Sequence, residues 1–145
     1  MASETNEMTM RVLAIGFCAL LCATLLAASV ARAAECADQT QNGLDVCADA
    51  AYKKADAALN AAYKEIIRRL KGDAATTKLL IAAQKAWIAY RDAECDFSSS
   101  ANAGGSIYPM VRAICLEAET NERTRDLGAF LKCGDSDTGC PVPAR

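Results

Sequence analysis

An apolar repeat across the first half of the chain restricts the fold more than any other feature. From Leu44 to Leu70, apolar side chains recur at intervals of three and four residues, which places them on one face of an α-helix. Thr40 is suited to cap the start of this helix, and Lys71-Gly72 is suited to end it. We therefore expect a helix of about thirty residues. The repeat consists of Leu44, Ala48, Ala51, Ala55, Leu59, Ala62, Ile66 and Leu70.

Two further helices are predicted after the first. The second begins at a cap supplied by Asp73 or Thr76 and extends to about Phe97. Because the turn before it is short, it is expected to be an antiparallel neighbour of the first helix. The third begins within residues 106–109, where a proline suits a first turn, and extends to about Leu131. Together they predict an all-α fold, a small antiparallel bundle of three main helices stapled by disulfides.

The stretch from Gln84 to Cys95 gives the second helix two faces. Gln84, Trp87 and Arg91 share one face, and the Arg91 guanidinium lies one turn from the indole, close enough to stack on it. Such amphipathic stripes are usually core, so Trp87 is expected to act through folding rather than through ligand contact. A second, apolar face is expected to pack against another neighbour. That face consists of Leu79, Ala83, Ala86 and Tyr90.

A charged pair between the first two helices is also predicted. Asp56 and Arg91 lie at similar distances along the chain from the turn near Asp73, so antiparallel packing puts them at one level. Each lies beside an apolar stripe, where an unpaired charge would be costly. Two solvated side chains are the alternative.

Residues 98–106 have the composition of a flexible loop. Serine, alanine, asparagine and glycine replace the apolar periodicity, and Cys95 and Cys115 stand on either side. The loop is a candidate for partner binding, and a plain connector is the alternative. Its candidate contact residues are Ser98, Asn102, Gly104, Gly105, Ser106 and Tyr108.

Residues 1–33 are expected to be a signal peptide that is removed on export. Val12 to Val30 is an almost unbroken apolar run, and Ala31-Arg32-Ala33 supplies the small residues that signal peptidase reads. An uncleaved membrane anchor is the alternative, because the run is nearly long enough to span a bilayer. We expect cleavage after Ala33, a periplasmic or secreted protein, and no stable membrane insertion. Lipid attachment is not expected, since no small residue precedes the candidate cysteines Cys18, Cys22 and Cys36.

The remaining chain is expected to form one helical domain, residues 34–133, followed by an irregular tail, residues 134–145. The tail is rich in Gly, Asp and Pro, so we expect it to be mobile apart from Cys140. The net charge is −2 with interspersed signs, which gives no basic stripe for a nucleic acid. The absence of histidine removes His-assisted nucleophiles and most metal sites. We therefore expect no cofactor, and an enzyme is the least favoured class of function.

Six cysteines follow the signal peptide, an even number that predicts three disulfides in a small exported domain. A metal cluster is the poorer interpretation, because the chain has neither a C-x-x-C pair nor a histidine. Alternating helix directions place the first four cysteines toward one end of the bundle and the last two at the other. The favoured pairs are Cys36–Cys47, Cys95–Cys115 and Cys133–Cys140; the alternative joins Cys36 to Cys115 and Cys47 to Cys95.

These motifs resemble the LprI-like lysozyme-inhibitor N-terminal domain, a family of small exported bacterial helical domains. The likeness extends from Cys36 to about Leu131. Its clearest part is the Gln84–Cys95 stretch followed by a Cys, Thr and Arg pattern; a lipid-anchored member of the family differs in having a lipobox cysteine and in lacking the last cysteine pair. The matching residues are Cys36, Thr40-Gln41, Cys47, Asp56, Leu59-Asn60, Tyr63, Gln84, Trp87, Tyr90-Arg91-Asp92, Cys95, Gly104-Gly105-Ser106, Cys115, Thr120, Arg123 and Leu127. As a structural motif we single out Asp56, Asn60, Gln84, Trp87, Tyr90, Arg91, Thr120 and Arg123.

The resemblance implies a protein that binds and inhibits a lysozyme or another cell-wall hydrolase. A lysozyme acts with two carboxylates in a cleft, and residues 98–108 could enter such a cleft while both ends of the loop stay anchored. The alternative is a periplasmic scaffold or interaction module with no enzyme target. An exposed patch on the first helix around Tyr52, Tyr63 and Ile67 would favour that alternative.

Overall fold

The computed structural model describes residues 36–134 and 137–144. Three α-helices follow one another: α1 (Gln41–Arg69), α2 (Ala74–Ser98) and α3 (Tyr108–Phe130). A single 3₁₀ turn, Ser100–Asn102, lies between α2 and α3. The described residues contain no strand, and the prediction of an all-α three-helix bundle is confirmed. The predicted signal peptide, residues 1–33, lies outside the described residues.

The helix ends follow from local chemistry. The Thr40 hydroxyl accepts a hydrogen bond from the Gly43 amide (3.1 Å) at the start of α1, and the Asp73 carboxylate accepts one from the Thr76 amide (3.0 Å) at the start of α2. Asp73, rather than Thr76, is thus the cap of α2. Gly72 has a φ of 100°, a conformation that glycine adopts without strain, and it reverses the chain between the two helices.

The helices do not pack equally on one another. α1 packs mainly against α3, and α2 packs against α3 less extensively. The antiparallel neighbours α1 and α2 approach each other less closely than either approaches α3, and Arg91 on α2 contacts Tyr52 and Asp56 on α1. The reason is that the buried residues of α1, such as Ala55 and Leu59, meet a matching apolar stripe on α3 that includes Leu116 and Leu127. Because α1 and α3 bury their apolar stripes against each other, α2 packs on them through only one of its faces.

A compact apolar cluster occupies the end of the bundle near the α1–α2 turn. Each of its five members is at most 4 % exposed, and half-buried side chains such as Leu80 and Phe130 pack around them. Burial of this kind stabilises a fold by about 25 cal/mol for each Å² of apolar surface removed from water. The members of this apolar cluster are Leu59, Ile66, Leu70, Leu127 and Val142.

Val142 shows that the C-terminal tail takes part in the core. Its described part, residues 137–144, contains no helix or strand, yet Val142 is only 4 % exposed. A disulfide between Cys133 and Cys140 holds the preceding segment near the end of α3, with the two Cα atoms 6.0 Å apart. The expectation of a mobile tail missed this anchor, because one valine among Gly, Asp and Pro residues produces no periodic pattern.

The apolar face of α2 is exposed. Leu79 is 70 % exposed and Tyr90 is 56 % exposed, and Ala83 and Ala86 between them are exposed too. The expectation that this face packs against a second neighbour is thus wrong within the described part of the chain. No membrane-spanning stretch is found in the three helices that the structure describes.

Candidate binding loop and its supporting cluster

The loop between α2 and α3 is covalently fixed at its base. A disulfide joins Cys95, in the last turn of α2, to Cys115 in α3, with the Cα atoms 5.6 Å apart. Cys95 is completely buried. Cys36 and Cys47 are also disulfide-bonded, and the Cys133–Cys140 bond brings the total to three, so the expected framework of three disulfides is confirmed.

Backbone hydrogen bonds order the interior of the loop. The Asn102 amide donates to the Ser99 carbonyl (2.9 Å), the Gly105 amide to the Asn102 carbonyl (2.9 Å), and the Tyr108 amide to the Gly105 carbonyl (3.2 Å). Ser99 is completely buried, and its hydroxyl donates to the Cys95 carbonyl at 2.6 Å. The loop is thus a chain of consecutive turns. Ser99 was not among the candidate residues, because nothing in a run of three serines marks the middle one as buried.

Two glycines permit this sequence of turns. Gly104 has a φ of 78°, which side chains with a Cβ adopt only at a cost. A Cβ on Gly105 would lie 3.1 Å from the Asn102 carbonyl oxygen, inside ordinary contact distance. Glycine at these two positions is therefore part of the loop's shape.

The outer surface of the loop is uncharged and mixes polar residues with the exposed apolar residues Ala101, Ala103 and Ile107. Ser98, Gly104, Gly105 and Ser106 are exposed, while Asn102 and Tyr108 are half-buried. No charged residue occurs in the sequence from residue 97 to residue 111.

A single ion pair borders the loop at its base. Arg112 donates to the Asp96 carboxylate at 2.6 Å, and this hydrogen bond raises the pKa of Arg112 above its usual value. The candidate surface is thus a neutral, hydrogen-bonding tip above a charged base.

A polar cluster centred on Arg91 lies behind this surface. The Arg91 side chain is 8 % exposed, and its Nε and Nη2 atoms lie 2.9 and 2.8 Å from the Asp92 carboxylate. Its guanidinium carbon lies 5.1 Å from the centroid of the Trp87 ring and 5.5 Å from that of Tyr52. Two aromatic rings thus pack against one buried cation, and each contact is a cation–π interaction.

The predicted pair of Asp56 with Arg91 exists, in a weaker form than expected. The closest atoms are 3.8 Å apart, and Asp56 is 41 % exposed. Asp56 accepts a shorter hydrogen bond of 2.8 Å from Asn60, one turn later on α1. The adjacent Asp92 is the principal partner of Arg91, a neighbour that the expectation based on helix pairing did not consider.

Polar contacts with α3 complete the cluster. Arg91 donates to the Thr120 hydroxyl at 3.5 Å, and Arg123 donates to the Gln84 side-chain oxygen at 3.2 Å. Thr120 is fully buried and Gln84 is 9 % exposed. Among the described residues, every buried side-chain nitrogen and oxygen has a hydrogen-bond partner. The cluster therefore orients α2 on α3 and leaves no buried polar atom aimed at a ligand.

The structure brings together all but one of the residues of the proposed structural motif. Asp56, Asn60, Gln84, Trp87, Arg91, Thr120 and Arg123 belong to the Arg91 cluster or its immediate neighbours. Tyr90 does not, because its place on the helix directs it to the exposed face of α2.

Two other kinds of site find no support. Tyr52, Tyr63 and Ile67 are each half-buried, so α1 lacks the exposed patch that would have favoured the scaffold alternative. Within residues 36–134 and 137–144, no three acidic or cysteine side chains are grouped in a way that could hold a metal ion.

The family of the protein follows from a comparison of its sequence. Residues 31–127 match the family described as Lysozyme inhibitor LprI. The match covers the loop, the Arg91 cluster and well over half of the chain. The protein therefore belongs to the LprI family of lysozyme inhibitors, which confirms the resemblance found in the sequence motifs.

Comparisons with two individual proteins support the fold and give no information about an activity. An uncharacterised protein of Rhizobium meliloti (strain 1021) is 35% identical over 63 residues, which make up 43% of this chain and 45% of that relative. The chain thus spans less than half the length of this curated relative. A crystal structure of a DUF1311 family protein from Pseudomonas putida KT2440 shares 27% sequence identity, with a TM-score of 0.56. That similarity covers 65% of this chain and 93% of the Pseudomonas chain.

Proposed function

We propose that the protein is exported, binds a lysozyme and inhibits it by placing residues 98–108 in the active-site cleft. The proposal rests on membership of the LprI family and on one structural observation. That observation is the ordered, uncharged loop whose base is closed by the Cys95–Cys115 disulfide.

The loop has the properties that an inhibitor of a carboxylate enzyme needs. The cleft of a lysozyme contains two catalytic carboxyl groups, so an acidic loop would be repelled and a strongly charged one would have to be desolvated. Residues 97–111 include no charged side chain, and they offer hydroxyl and amide donors instead. Consecutive turns and the disulfide fix the loop before binding, which lowers the entropy lost on association.

The disulfides support the proposed location. Disulfides persist in oxidising compartments such as the periplasm and the extracellular space, and three of them form in this small domain. Together with the signal peptide predicted at residues 1–33, they favour a periplasmic or secreted protein, where a lysozyme would be encountered.

A second candidate is an interaction module that uses a helix face. The observation that favours it is the exposed apolar surface of α2, with Leu79 at 70 % and Phe97 at 75 % exposure. Exposed apolar patches of this kind are common at protein-binding surfaces. This candidate needs no lysozyme.

An assay of cell-wall lysis separates the two candidates. The purified protein is mixed with chicken-type and goose-type lysozymes, and inhibition by the wild type is compared with inhibition by Ser106→Asp. The new carboxylate would face the catalytic carboxylates, so we expect inhibition to weaken by about tenfold or more. Ala61→Asp, at an exposed position on α1, is the matched control and should inhibit like the wild type.

A variant shortened within residues 101–105 provides a second test. It should lose inhibition while it keeps its helical circular-dichroism signal, because the shortened segment contributes nothing to the apolar cluster. Undiminished inhibition by both folded loop variants would place the contact elsewhere and favour the helix-face candidate. A wild type that inhibits neither lysozyme would refute the proposal.

A further inference from the structure

The fold separates its charged side chains into two halves of opposite net charge. Two contacts mark a common level on the three helices: Arg91 on α2 approaches Asp56 on α1 at 3.8 Å and Thr120 on α3 at 3.5 Å. The loop half, defined as residues 39–56 and 91–119, contains eight acidic and four basic side chains, a net charge of −4. The opposite half, residues 57–90, 120–134 and 137–144, contains five acidic and nine basic side chains, a net charge of +4.

Ion pairs inside the loop half do not remove its negative charge. Three of its four cations are paired with a carboxylate at 2.6 to 2.8 Å, and each such pair contributes no net charge. Five further carboxylates then stand against one further cation, Lys54. Among these carboxylates, Asp45 accepts a hydrogen bond of 2.8 Å from the neutral side chain of Gln41. The three ion pairs are Lys53–Asp49, Arg91–Asp92 and Arg112–Asp96.

The surplus negative charge lies beside the base of the neutral candidate loop. On α2, Glu94 lies one turn before Ser98, where the helix ends and the loop begins. On α1, Asp45 lines a groove together with Tyr108, the last residue of the candidate loop. The loop itself carries no charge, since residues 97–111 include no acidic or basic side chain. The candidate binding surface therefore has a neutral tip and a negative base.

A neutral tip and a negative base suit two different parts of one partner. The tip is proposed to enter a cleft with catalytic carboxylates, which would repel an acidic side chain. The base would meet the surface that surrounds the cleft, and a negative base is complementary to a positive surface. We propose that the loop half is the binding face for a lysozyme whose surface around the cleft carries a net positive charge. This inference rests on the proposed function and specifies the class of lysozyme that the protein binds.

The positive charge of the opposite half orients the encounter. In the field of a cationic partner the loop half is attracted and the opposite half is repelled, so the loop approaches first. The field between exposed charges extends over about 8 Å at 0.15 M ionic strength and about 30 Å at 0.01 M. The attraction should therefore act mainly on the association rate constant and weaken steeply as salt is added.

Binding kinetics with a lysozyme of positive net charge test the inference. Asp45→Asn/Glu94→Gln removes two negative charges from the loop half, and at about 0.02 M ionic strength it should lower the association rate constant by about fivefold. The difference from the wild type should disappear near 1 M salt, where the Debye length is about 3 Å. Glu122→Gln/Asp126→Asn is the matched control, because it changes the total charge equally but in the opposite half, at side chains 70 % and 56 % exposed. The control should associate at least as fast as the wild type, and circular dichroism should show an unaltered fold for both variants.

Two results would overturn the inference: an association rate constant unchanged in Asp45→Asn/Glu94→Gln, or equal slowing by the two double variants. Inhibition by the wild type that is lost in Ser106→Asp would then still support the proposed function. A lysozyme of negative net charge provides a further test, since it should associate more slowly than the cationic one, and equal or faster association would contradict the proposed partner class. A wild type that binds neither lysozyme would refute both the inference and the proposed function.

Discussion

The apolar cluster and the Arg91 cluster bury side chains in opposite ways. At one end of the bundle, Leu59, Ile66, Leu70, Leu127 and Val142 exclude water without a directed interaction. Further along the helices, a buried guanidinium is held by carboxylates, a threonine hydroxyl and two aromatic rings. Both clusters lie between packed helices. The apolar cluster depends on filling the space between them, whereas the Arg91 cluster depends on the distances and directions of its polar contacts.

The difference assigns separate tasks to the two clusters. Apolar burial is roughly proportional to area and tolerates small sliding movements of one helix along another. The Arg91 contacts are more directional, because a shift of α2 by one turn would separate the guanidinium from Thr120 on α3 and from Asp56 and Tyr52 on α1, while Asp92 would move with it. We infer that the apolar cluster supplies most of the stability, and that the Arg91 cluster sets the position of α2, from whose end the candidate loop begins.

The largest effect is expected in the apolar cluster. Leu127 is completely buried, so Leu127→Ala leaves a cavity and should lower the free energy of unfolding by about 3 to 5 kcal/mol. Leu79→Ala, at a position 70 % exposed, is the control and should change it by less than about 0.5 kcal/mol in chemical denaturation. A small loss for Leu127→Ala would mean that the cluster is not the main source of stability.

The Arg91 cluster should respond less strongly. Arg91→Met keeps the aliphatic stem and removes the charge, and we expect a loss of about 2 to 3 kcal/mol. The figure lies below that for a fully buried pair, because Asp56 and Asp92 are 41 % and 45 % exposed and can be solvated alone. Arg125→Met, at a side chain 69 % exposed on α3, is the control and should have almost no effect. A loss equal to that of Leu127→Ala would contradict the separation of tasks.

The sequence contains enough to predict the helices and much of the Arg91 cluster. Spacings of three and four residues place Gln84, Trp87 and Arg91 on one face, and the structure buries Gln84 and Arg91 and half-buries Trp87. Caps and glycines likewise act locally, so Thr40 and Gly72 have the expected roles.

The pairing of helix faces within the bundle could not be predicted in the same way. Periodicity shows that a face is apolar, but it does not show whether another helix remains to cover it. The sequence predicted burial of Tyr90, whereas α1 and α3 pack on each other and leave it 56 % exposed. Ser99 and Val142 were missed for a related reason, since an isolated residue in an aperiodic segment is buried only by tertiary contacts.

A substitution at Val142 tests whether the C-terminal tail contributes to the stability of the apolar cluster. Val142→Ala removes two methyl groups from a site that is 4 % exposed, and we expect a loss of about 1 to 2 kcal/mol. Val46→Ala, at a position 61 % exposed, should cost less than about 0.5 kcal/mol. Equal, negligible losses in the two variants would show that the tail covers the cluster without stabilising it.

The smallest effect is expected at the polar edge of the apolar cluster and depends on pH. Hydrogen bonds from Arg68 and Arg69 lower the pKa of Glu65 from its ordinary value of 4.5 to about 2. Arg69 also donates to the Leu131 carbonyl at 3.0 Å, so the group links α1 to the end of α3. Because the folded pKa is the lower one, the stabilisation is complete above the unfolded value and is lost as the pH falls from about 4.5 toward 2.

Glu65→Gln should therefore lower the melting temperature at neutral pH and leave it nearly unchanged near pH 2, which flattens the decline of stability with acid. The decline should not vanish, because hydrogen bonds from Thr76 also lower the pKa of Asp73, which acts in the same direction. Melting temperatures of both proteins measured between pH 2 and pH 7 provide the comparison, with Glu122→Gln on the exposed surface of α3 as the control. If Glu65→Gln kept the full acid dependence, the ion pairs of Glu65 with Arg68 and Arg69 would contribute nothing to stability. The stability of this end of the bundle would then come only from buried apolar area.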